Sequence, residues 1–442
     1  MEKNIFTFNK NKCVGCEACV VACMNENEFQ PAGHWKKVYA TNTSHFPNLP
    51  LYYLSLSCNH CDEAPCLLNC PARAYYRDSG TGAVLHEPGK CIGCKLCTWA
   101  CPYDAPVYNP PSGLIEKCTF CSHRIEENLK PACATLCPTG ALDFANEEFS
   151  SSQALASSPV PVRTGSSLKV EELVKKEGPR MDKGLFLENP AMDAGTIKHT
   201  SRISAIKEWP LIVFTLLTSI LVALYAQGNI GLNSNQWPIL MLGGCVVSTV
   251  ISMFHLGRKS RLWRTLLNVQ HSWLSREILF FILFYTSVFL DLLIVPIPKL
   301  IPLSFALLLL VSMDSLYTLA FWNWKIKIHS AQTLFLALSI FLLLNHSLEI
   351  LLALGILRIA LYIIRKPGDR NIRRQEIWMM CARLLSLTLS MGIAFITGQL
   401  WLASLLLLPG EIIDRIEFYN ELNLPQQQYL GHNRSLFEPS AF

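Results

Sequence analysis

Charged residues are scarce in this sequence: they make up 16% of its 442 positions, whereas hydrophobic residues make up 51%. This balance excludes a purely soluble protein of ordinary composition and indicates that part of the chain is embedded in a membrane. The net charge of +5 is small and its basic residues gather beside apolar stretches, so no nucleic-acid binding is expected. The first ten residues lack an apolar signal segment and paired arginines, so we expect no secretory or Tat signal.

Cysteine is rare in the second half of the chain and dense in the first. Sixteen of the 18 cysteines form four groups of four. The groups are Cys13, Cys16, Cys19 and Cys23; Cys58, Cys61, Cys66 and Cys70; Cys91, Cys94, Cys97 and Cys101; and Cys118, Cys121, Cys133 and Cys137. Groups one and three have the C-x2-C-x2-C-x3-C spacing of bacterial [4Fe–4S] ferredoxins, and groups two and four lengthen the step before the third cysteine.

This spacing predicts iron–sulfur clusters. Three closely spaced thiolates can reach three corners of one cubane, and in two-cluster ferredoxins the fourth cysteine binds the neighbouring cluster. We therefore expect four [4Fe–4S] clusters in two pairs that exchange their last ligands, and the spacing leaves open which groups pair. Zinc is the alternative for C-x2-C motifs, but it needs neither the third close cysteine nor the prolines that directly follow Cys70, Cys101 and Cys137. Disulfides are disfavoured because no signal for secretion is seen.

Composition predicts a multidomain protein. We expect a ferredoxin-like α+β domain at residues 1–145, a flexible linker at 146–205, an all-α membrane domain at 206–420 and a C-terminal tail at 421–442. Leu51 to Ser57 and Gly82 to His86 are expected as strands that enter groups two and three. Val170 to Lys176 is compatible with a short helix, and an extended tether on the domain surface is the favoured alternative. Folding of the first domain should depend on metal because its apolar core is small.

Apolar stretches of about 20 residues, the length of a membrane-spanning helix, dominate the second half. Eight are expected, at about residues 208–227, 236–256, 276–297, 300–321, 329–345, 347–364, 379–397 and 399–418. The fifth and sixth nearly touch, as do the seventh and eighth, so either pair is also compatible with one long helix. Their combined lengths favour hairpins, because a single helix of that length would overrun the bilayer.

Loop charge predicts the orientation of these spans. With eight spans, the first domain and the loops after spans two, four and six share one side, where eleven basic residues lie against Lys299 alone on the other. The eleven are Arg258, Lys259, Arg261, Arg264, Lys325, Lys327, Arg365, Lys366, Arg370, Arg373 and Arg374. This positive-inside bias predicts that the cluster domain lies on the cytoplasmic side of a bacterial inner membrane. The alternative is that the basic loops dock an acidic cluster domain.

Motifs in both halves resemble a known family. Cys58-Asn59-His60-Cys61, Ala100 to Pro106 and Pro138 to Leu142 resemble the four-cluster electron-transfer subunit of dimethyl sulfoxide reductase. The membrane half resembles that enzyme's anchor subunit. Its matching motifs are Glu208-Trp209-Pro210-Leu211, Phe254-His255-Leu256-Gly257, His271 to Glu277 and Gly410-Glu411-Ile412-Ile413. The chain is thus similar to two usually separate subunits fused through a linker.

The resemblance implies a separate molybdopterin catalytic subunit as partner and an anchor that oxidises menaquinol without haem. It also implies nested pairing, in which group one exchanges its last ligand with group four, and group two with group three. The implied ligand sets are Cys13, Cys16, Cys19 and Cys137; Cys118, Cys121, Cys133 and Cys23; Cys58, Cys61, Cys66 and Cys101; and Cys91, Cys94, Cys97 and Cys70. In the family the cluster subunit is exported with a catalytic subunit that carries a twin-arginine signal, and fusion to eight spans argues against that outward location.

Two residues near one membrane face are candidates for quinol chemistry. His255 ends span two and Glu277 begins span three, on the cluster-domain side by the loop-charge argument. A histidine can take a quinol proton near neutral pH, and a carboxylate can relay it. The family's quinol site matches these two positions. The alternative is that His255 is a structural residue at the interface.

Three ionisable residues lie inside predicted spans, where charge is costly unless it is paired or functional. They are Asp291, Asp314 and Arg358. Pairing of Arg358 with one of the aspartates is the favoured interpretation, and a proton path is the alternative. His329 and His346 lie at opposite ends of span five, and no other histidine pair suits haem, so none is expected.

The combined expectation is an electron-transfer and anchor subunit that draws electrons from menaquinol in the quinone pool. The electrons would pass through four clusters to the catalytic subunit, which would reduce an S-oxide, an N-oxide or nitrate. A dehydrogenase that feeds the quinone pool and a redox-inactive membrane anchor are the alternatives.

Overall fold

The computed structural model describes residues 2–28, 34–40, 52–150, 153, 164–171, 205–206, 208–228, 233, 235–320, 329–365, 374–397 and 400–421. The described residues up to 171 belong to one compact unit, and those from 205 to 421 belong to another. Short strands and helices build the first unit, the cluster domain, whereas long helices build the second, the helical unit.

Short elements separated by cysteine turns make up the cluster domain. Its described strands are β1 (Glu2–Asn9), β2 (Lys37–Ala40), β3 (Tyr53–Leu56), β4 (Tyr75–Arg77), β5 (Val84–His86), β6 (Val107–Asn109), β7 (Leu114–Glu116), β8 (Leu142–Glu148) and β9 (Leu168–Glu171). Its described helices are α1 (Ala18–Glu26), α2 (Pro65–Leu68), α3 (Leu96–Ala100), α4 (Ser122–Glu126) and α5 (Ala132–Thr135). β3 and β5 confirm the two strands predicted from the sequence.

One three-stranded sheet, in the order β8-β1-β9, joins the two ends of this domain. β1 pairs antiparallel with β8, from Glu2 opposite Glu148 to Phe8 opposite Leu142, and parallel with β9. Phe6 and Phe8, two residues apart and therefore on one face of β1, pack with Phe120 and Leu142 in the core. The remaining strands form three antiparallel hairpins, β2-β3, β4-β5 and β6-β7.

Part of the predicted linker belongs to this sheet. Residues 146–148 complete β8, and β9 lies inside the stretch predicted as a tether, with Leu168 and Val170 buried. The short helix considered from Val170 to Lys176 is wrong at its first two residues, because they pair with β1 as extended chain. Residues 172–176, most of the linker and the predicted tail from 422 onward lie outside the described residues.

The helical unit contains eight α-helices in its described part, where eight spans were expected. They are α6 (Trp209–Gln227), α7 (Gln236–Ser252), α8 (Trp273–Leu293), α9 (Leu300–Leu316), α10 (Thr333–Leu344), α11 (Leu348–Arg365), α12 (Arg374–Thr397) and α13 (Leu400–Glu421). Within the described residues, four helical segments are long and apolar enough to cross a membrane: Trp209–Gln227, Gln236–His255, Leu300–Leu319 and Ile377–Thr397. α10 is apolar but has only 12 residues, about 18 Å of helix, which is shorter than a bilayer core.

Both suspected hairpins are present. Ser339 of α10 meets Arg358 of α11 at 3.1 Å, and Ser390 of α12 donates to the Ala403 carbonyl of α13 at 2.7 Å. A core of apolar side chains, with Met241, Phe284 and Leu309 at its centre, joins α6 to α10. Large apolar residues also cover the outside, for example Ile239 and Leu300, which are 71% and 77% exposed. An apolar exterior of this kind suits lipid contact.

Candidate functional site

The register of the sheet brings the first cysteine group next to the last. β1 ends just before Cys13 and β8 begins just after Cys137, and Phe8 faces Leu142 in the antiparallel ladder. The Asn9 amide continues the pairing with a 2.7 Å bond to the Ala141 carbonyl. Because antiparallel pairing places these two strand ends together, group one and group four lie side by side.

Two cavities in the cluster domain are each lined by four cysteines from these two groups. The first is lined by Cys13, Cys16, Cys19 and Cys137. The second is lined by Cys23, Cys118, Cys121 and Cys133. Each cavity therefore takes three thiols from one group and the last thiol from the other, which is the exchange that the nested pairing predicts.

The other two groups are joined by a hairpin. β4-β5 starts shortly after Cys70 and ends shortly before Cys91, with Tyr75 opposite His86. Burial raises the pKa of the Cys97 thiol, and nearby Cys94, Cys70 and Cys91 raise it further. The pKa of Cys66 is likewise raised by burial and then by Cys58, Cys101 and Cys61. These electrostatic neighbours are the members of the two remaining predicted sets.

Groups one and three fold into the same turn. Gly15 and Gly93, each just before the second cysteine, have φ of 72° and 70°, and Glu17 and Lys95 both have φ of 60° before α1 and α3. A Cβ at Gly15 would lie 2.5 Å from the Tyr53 ring, so this turn needs glycine. Equal spacing in the sequence thus gives equal backbone geometry at two separate sites.

Backbone amides point at several of the sulfurs. The amides of Ala74 and Gly93 donate to Cys70 and Cys91 at 3.3 Å, and the Leu142 amide donates to Cys137 at 3.4 Å. Partial burial raises the pKa of Cys137, but this amide and the Thr139 hydroxyl outweigh it, so the pKa is lowered overall. Hydrogen bonds to cluster sulfurs are one of the ways in which proteins set the reduction potential of iron–sulfur centres.

The thiol cavities suit a group larger than one ion. In the part of the chain that the structure describes, no three His, Cys, Asp or Glu side chains lie close enough to hold a single metal ion. Each cavity instead brings four thiols from two cysteine groups around one space. Thiolate-lined volumes of this kind fit iron–sulfur clusters, which are held by four cysteines.

In the helical unit, the two candidate quinol residues lie at the ends of consecutive helices. His255 closes a short 3-10 turn, Met253–His255, that follows α7. Glu277 lies in the second turn of α8, is 6% exposed, and its Oε2 has no hydrogen-bond partner. An unpartnered buried carboxylate oxygen is costly, and such atoms call for a water, an ion or a ligand.

Arg358 pairs with neither aspartate, so the favoured interpretation from the sequence is wrong. Its guanidinium donates to Glu411 at 2.6 and 2.5 Å, and to the Ser330 carbonyl at 3.2 Å. The physical reason is that α11 turns Arg358 toward α13. Both aspartates have other partners instead, since Asp291 accepts from the Tyr225 hydroxyl at 2.7 Å and Asp314 accepts from the Thr333 amide at 2.8 Å.

A row of charged residues on α13 was not recognised from the sequence, although one of them, Glu411, lies in the quoted Gly410-Glu411-Ile412-Ile413 motif. Glu411, Asp414 and Arg415 are 2%, 0% and 3% exposed, at spacings that share one helix face. Arg383 of α12 donates to Asp414, and Arg415 donates to Thr215 of α6 at 2.9 Å. The signal was present as i, i+3 and i+4 spacing within an apolar stretch.

Several polar side chains from different helices lie at one end of the helical unit. We call this end the polar end and define it by Glu277, Asp314, Tyr317, Arg415 and Tyr419. The Tyr317 and Tyr419 hydroxyls bond each other, and Tyr317 lies within electrostatic range of the other three. Glu277 and Tyr317 come from the start of α8 and the end of α9, as helices that alternate in direction require. His255 lies at the same end, because α7 ends there.

Comparison with known proteins addresses the cysteine domain. A family model described as a 4Fe-4S dicluster domain matches residues 49–147. An anaerobic dimethyl sulfoxide reductase chain of Escherichia coli K12 is 37% identical over 147 residues, which cover 31% of this chain and 71% of that relative. This protein belongs to the family of dimethyl sulfoxide reductase iron–sulfur subunits. The family resemblance seen in the sequence is thereby confirmed.

Other relatives carry different names. The arsenate respiratory reductase iron–sulfur subunit of Shewanella sp. ANA-3 is 34% identical, over 29% of this chain and 76% of the relative. A sulfite dehydrogenase subunit of Allochromatium vinosum is 37% identical, over 31% of this chain and 65% of the relative. Each match leaves about two thirds of this chain uncovered. The four long apolar helices agree with a fused membrane anchor.

Proposed function

We propose that this chain is the electron-transfer and membrane-anchor subunit of a molybdopterin oxidoreductase complex. It takes electrons from menaquinol and passes them through four [4Fe–4S] clusters to a separate catalytic subunit that reduces an S-oxide, an N-oxide or nitrate. The observation that carries the proposal is the pair of four-thiol cavities built from non-consecutive cysteine groups. Two of the reported relatives are reductase chains by name, one of them explicitly an iron–sulfur subunit, and this supports the electron-transfer role.

All sixteen cysteines act as ligands in this proposal, in the four nested sets. The clusters supply one-electron steps when bound, and the protein spaces them and shields them from water. Cys16 is exposed and Cys13 and Cys137 are half-buried, whereas the cysteines of the second cavity are all buried. The set that contains Cys13 is therefore the outlet to the catalytic subunit, because electron transfer between proteins needs a cluster near the surface.

Quinol oxidation is assigned to the polar end of the helical unit. Menaquinol gives up two electrons and two protons, so the site needs proton acceptors. His255 takes one proton and Glu277 takes or relays the other, in keeping with their chemistry near neutral pH. Arg415 is suited to hold a quinol oxygen, because its Nε and Nη2 are buried without a hydrogen-bond partner. The polar end thus offers the quinol head group two proton acceptors, His255 and Glu277, and one hydrogen-bond donor, Arg415.

The proposed side of the membrane rests on the loops. Arg258 and Lys259 are exposed beside Phe254 and Trp263, and the ammonium of Lys259 lies 4.6 Å from the Phe254 ring centroid. Basic and aromatic side chains of this kind are typical of a membrane interface, with basic residues favoured on the cytoplasmic side. We therefore assign the cluster domain to the cytoplasm of a bacterial cell. Lys325, Lys327, Lys366, Arg370 and Arg373, which also support this, lie outside the described residues.

The second candidate function is the reverse reaction, in which the catalytic subunit oxidises its substrate and the chain reduces quinone. The relative named as a sulfite dehydrogenase subunit favours it, since that name describes an oxidation. A redox-inactive anchor is the third possibility and predicts that no cluster is reduced by quinol.

The test measures cluster reduction in membranes that contain the holo-complex. His255→Ala and Glu277→Gln should each slow cluster reduction by menaquinol by about 100-fold or more, because general acid–base groups contribute at least that much. Reduction by dithionite and the iron content should stay at wild-type values. His271→Ala and Glu349→Gln, both at exposed positions of the helical unit, are matched controls.

The outcomes separate the alternatives. Four [4Fe–4S] signals with 16 iron atoms per chain support the full set of ligands, and fewer would overturn it. Wild-type reduction rates in either variant would remove that residue from the quinol site. If quinol reduces no cluster in the wild type while the catalytic substrate does, the dehydrogenase direction or a distinct electron route replaces the main proposal.

A further inference from the structure

Lys117 is a buried lysine in the cluster domain that the electron-transfer scheme does not yet use. It is 3% exposed and lies directly before Cys118. Its ammonium donates to the sulfur of Cys58 at 3.6 Å, to the Cys118 carbonyl at 2.9 Å and to the Val84 carbonyl. Among the described residues, no carboxylate forms an ion pair with it, so its charge faces a thiol and two carbonyl dipoles.

The position of Lys117 is the junction between the two halves of the cysteine framework. Cys58 belongs to the set completed by Cys101, and Cys118 belongs to the set completed by Cys23. The β6-β7 hairpin, which ends just before Lys117, brings these sets together, and Cys58 acts electrostatically on Cys118. Lys117 therefore bonds a ligand sulfur of one set and the backbone carbonyl of a ligand residue of the other, and these two neighbouring sets share no cysteine.

The junction is closed to water. The His60 ring stacks on Phe120 with 4.3 Å between centroids, and the Val84 amide donates to His60 Nδ1 at 3.1 Å. His60 and Phe120 are each 1% exposed. In such a dry interior, a fixed charge acts much more strongly on its neighbours than it would in water. A buried ammonium with no carboxylate partner is costly unless something nearby is negative.

We propose that Lys117 raises the midpoint potentials of the two clusters that flank it, held by the Cys58 set and the Cys118 set. Each cluster gains one negative charge when it accepts an electron, and the fixed ammonium stabilises that charge. One electron moves per transfer, from one flanking cluster to the other, and no bond or proton of Lys117 changes. Lys117 thereby makes reduction more favourable at the two clusters through which electrons pass from one cluster pair to the other. This inference rests on the proposed function, since it requires all four sets to hold clusters.

A purely structural role makes a different prediction. Lys117 ties β5 to the loop of group four, so losing the ammonium could simply weaken that contact. Weakened packing would lower iron content or disturb all clusters alike. A tuning role would shift the midpoint potentials of the two flanking clusters. The potentials of the clusters held by the sets that contain Cys13 and Cys91 would not change.

The experiment is a redox titration of the holo-complex followed by electron paramagnetic resonance. Lys117→Gln should shift the midpoint potentials of two clusters to more negative values, while Lys117→Arg, which keeps the charge, should restore them toward wild type. Lys90→Gln is the matched control, because the Lys90 side chain is 43% exposed, also directly precedes a cysteine and pairs with Glu87 at 2.5 Å. No shift in Lys117→Gln, or an equal shift of all four clusters, would overturn the proposal.

Iron content and the number of signals keep this failure distinct from failure of the four-cluster scheme. If Lys117→Gln does not assemble, the wild-type protein grown with 15N-lysine gives a second measurement. Pulsed hyperfine spectroscopy should then find a lysine nitrogen coupled to a reduced cluster, because the ammonium hydrogen-bonds a ligand sulfur. Absence of such coupling from every cluster would refute the inference.

Discussion

The cluster domain and the helical unit both bury side chains that are costly to bury, but they compensate for the cost differently. In the helical unit the compensation lies within the chain, because Arg358 meets Glu411 and Arg383 meets Asp414. In the cluster domain most of the sixteen cysteines are buried, and their sulfurs receive only scattered amide and side-chain hydrogen bonds from the protein. There the compensation comes from iron, which cysteine thiolates bind in iron–sulfur proteins.

The difference indicates that the two halves of the chain obtain their stability from different sources. The cluster domain consists of strands of three to eight residues and helices of four to nine, which cannot cover a large core. Its cohesion must come mainly from clusters that crosslink distant cysteines. The helical unit has long helices, an apolar core and internal ion pairs, so its cohesion comes from packing and charge pairing within the chain.

The largest expected effect follows from removing iron. Oxidation in the presence of a chelator should unfold the cluster domain and leave the helical unit folded, because metal binding and folding are coupled when the ligands are otherwise unpartnered. Limited proteolysis in detergent should then digest the chain up to about residue 171 and spare a membrane-bound fragment. Reconstitution with iron and sulfide should restore resistance.

A cluster domain that stays resistant to protease after complete iron loss would contradict the claim that this domain depends on iron for its folding. It would mean that the short strands and the Phe6, Phe8 and Phe120 core suffice for folding. Far-ultraviolet circular dichroism gives the control, since the helical signal from the second half should change little.

A smaller effect is expected from the internal ion pairs of the helical unit. Arg358→Leu should destabilise that unit by about 3–5 kcal/mol, because it leaves the buried Glu411 carboxylate without its partner. The double variant Arg358→Leu, Glu411→Leu should recover most of this loss, since replacing a whole buried pair by apolar residues is often near neutral. Unfolding in mixed detergent micelles, followed by circular dichroism, measures both.

An exposed pair in the other half serves as the control. Lys130 and Asp143 lie 2.7 Å apart with both side chains about half exposed, so Lys130→Leu should cost about 0–1 kcal/mol. A loss for Arg358→Leu no larger than that of the control would show that the helical unit does not depend on its interior charges.

The two halves also differ in how much their sequence predicts. The cysteine sets depend on spacing of a few residues, and equal spacing produced equal turns at Gly15 and Gly93. The β3 and β5 strands were predicted for the same reason, because their signals are local. Which groups pair was left open by the spacing, since it depends on β1 meeting β8 across more than 130 residues.

In the helical unit, helix positions were predictable from hydropathy but charge partners were not. Arg358 was expected to meet an aspartate, yet its partner Glu411 lies 53 residues away on α13. Asp314 could not be identified as the acceptor for the first amides of α10 until the ends of α9 and α10 were known to meet. Charge partners on different helices are set by which helix faces pack together. A stretch that is apolar all round does not specify which of its faces packs against a given neighbour.

The smallest expected effect concerns the membrane potential, because we expect turnover to build none. His255 and Glu277 lie at the polar end, and Asp291, near the opposite end, is held by Tyr225 and the Ile297 amide. In the proposed scheme, protons from quinol leave on the side of the cluster domain, where the catalytic subunit would consume two protons per oxide or nitrate. No net charge would then cross the bilayer, whichever side the domain occupies.

Liposomes that contain the complex and a voltage-sensitive dye test this directly. A potassium gradient with valinomycin shows that the dye responds, and menaquinol with the terminal acceptor then starts turnover. A potential that grows during turnover and collapses with a protonophore would refute electroneutrality. In that event the interior charges of the helical unit would conduct protons as well as stabilise it. Asp314→Asn should then abolish the potential while leaving cluster reduction intact, because Asp314 interacts electrostatically with both Glu277 and Arg415.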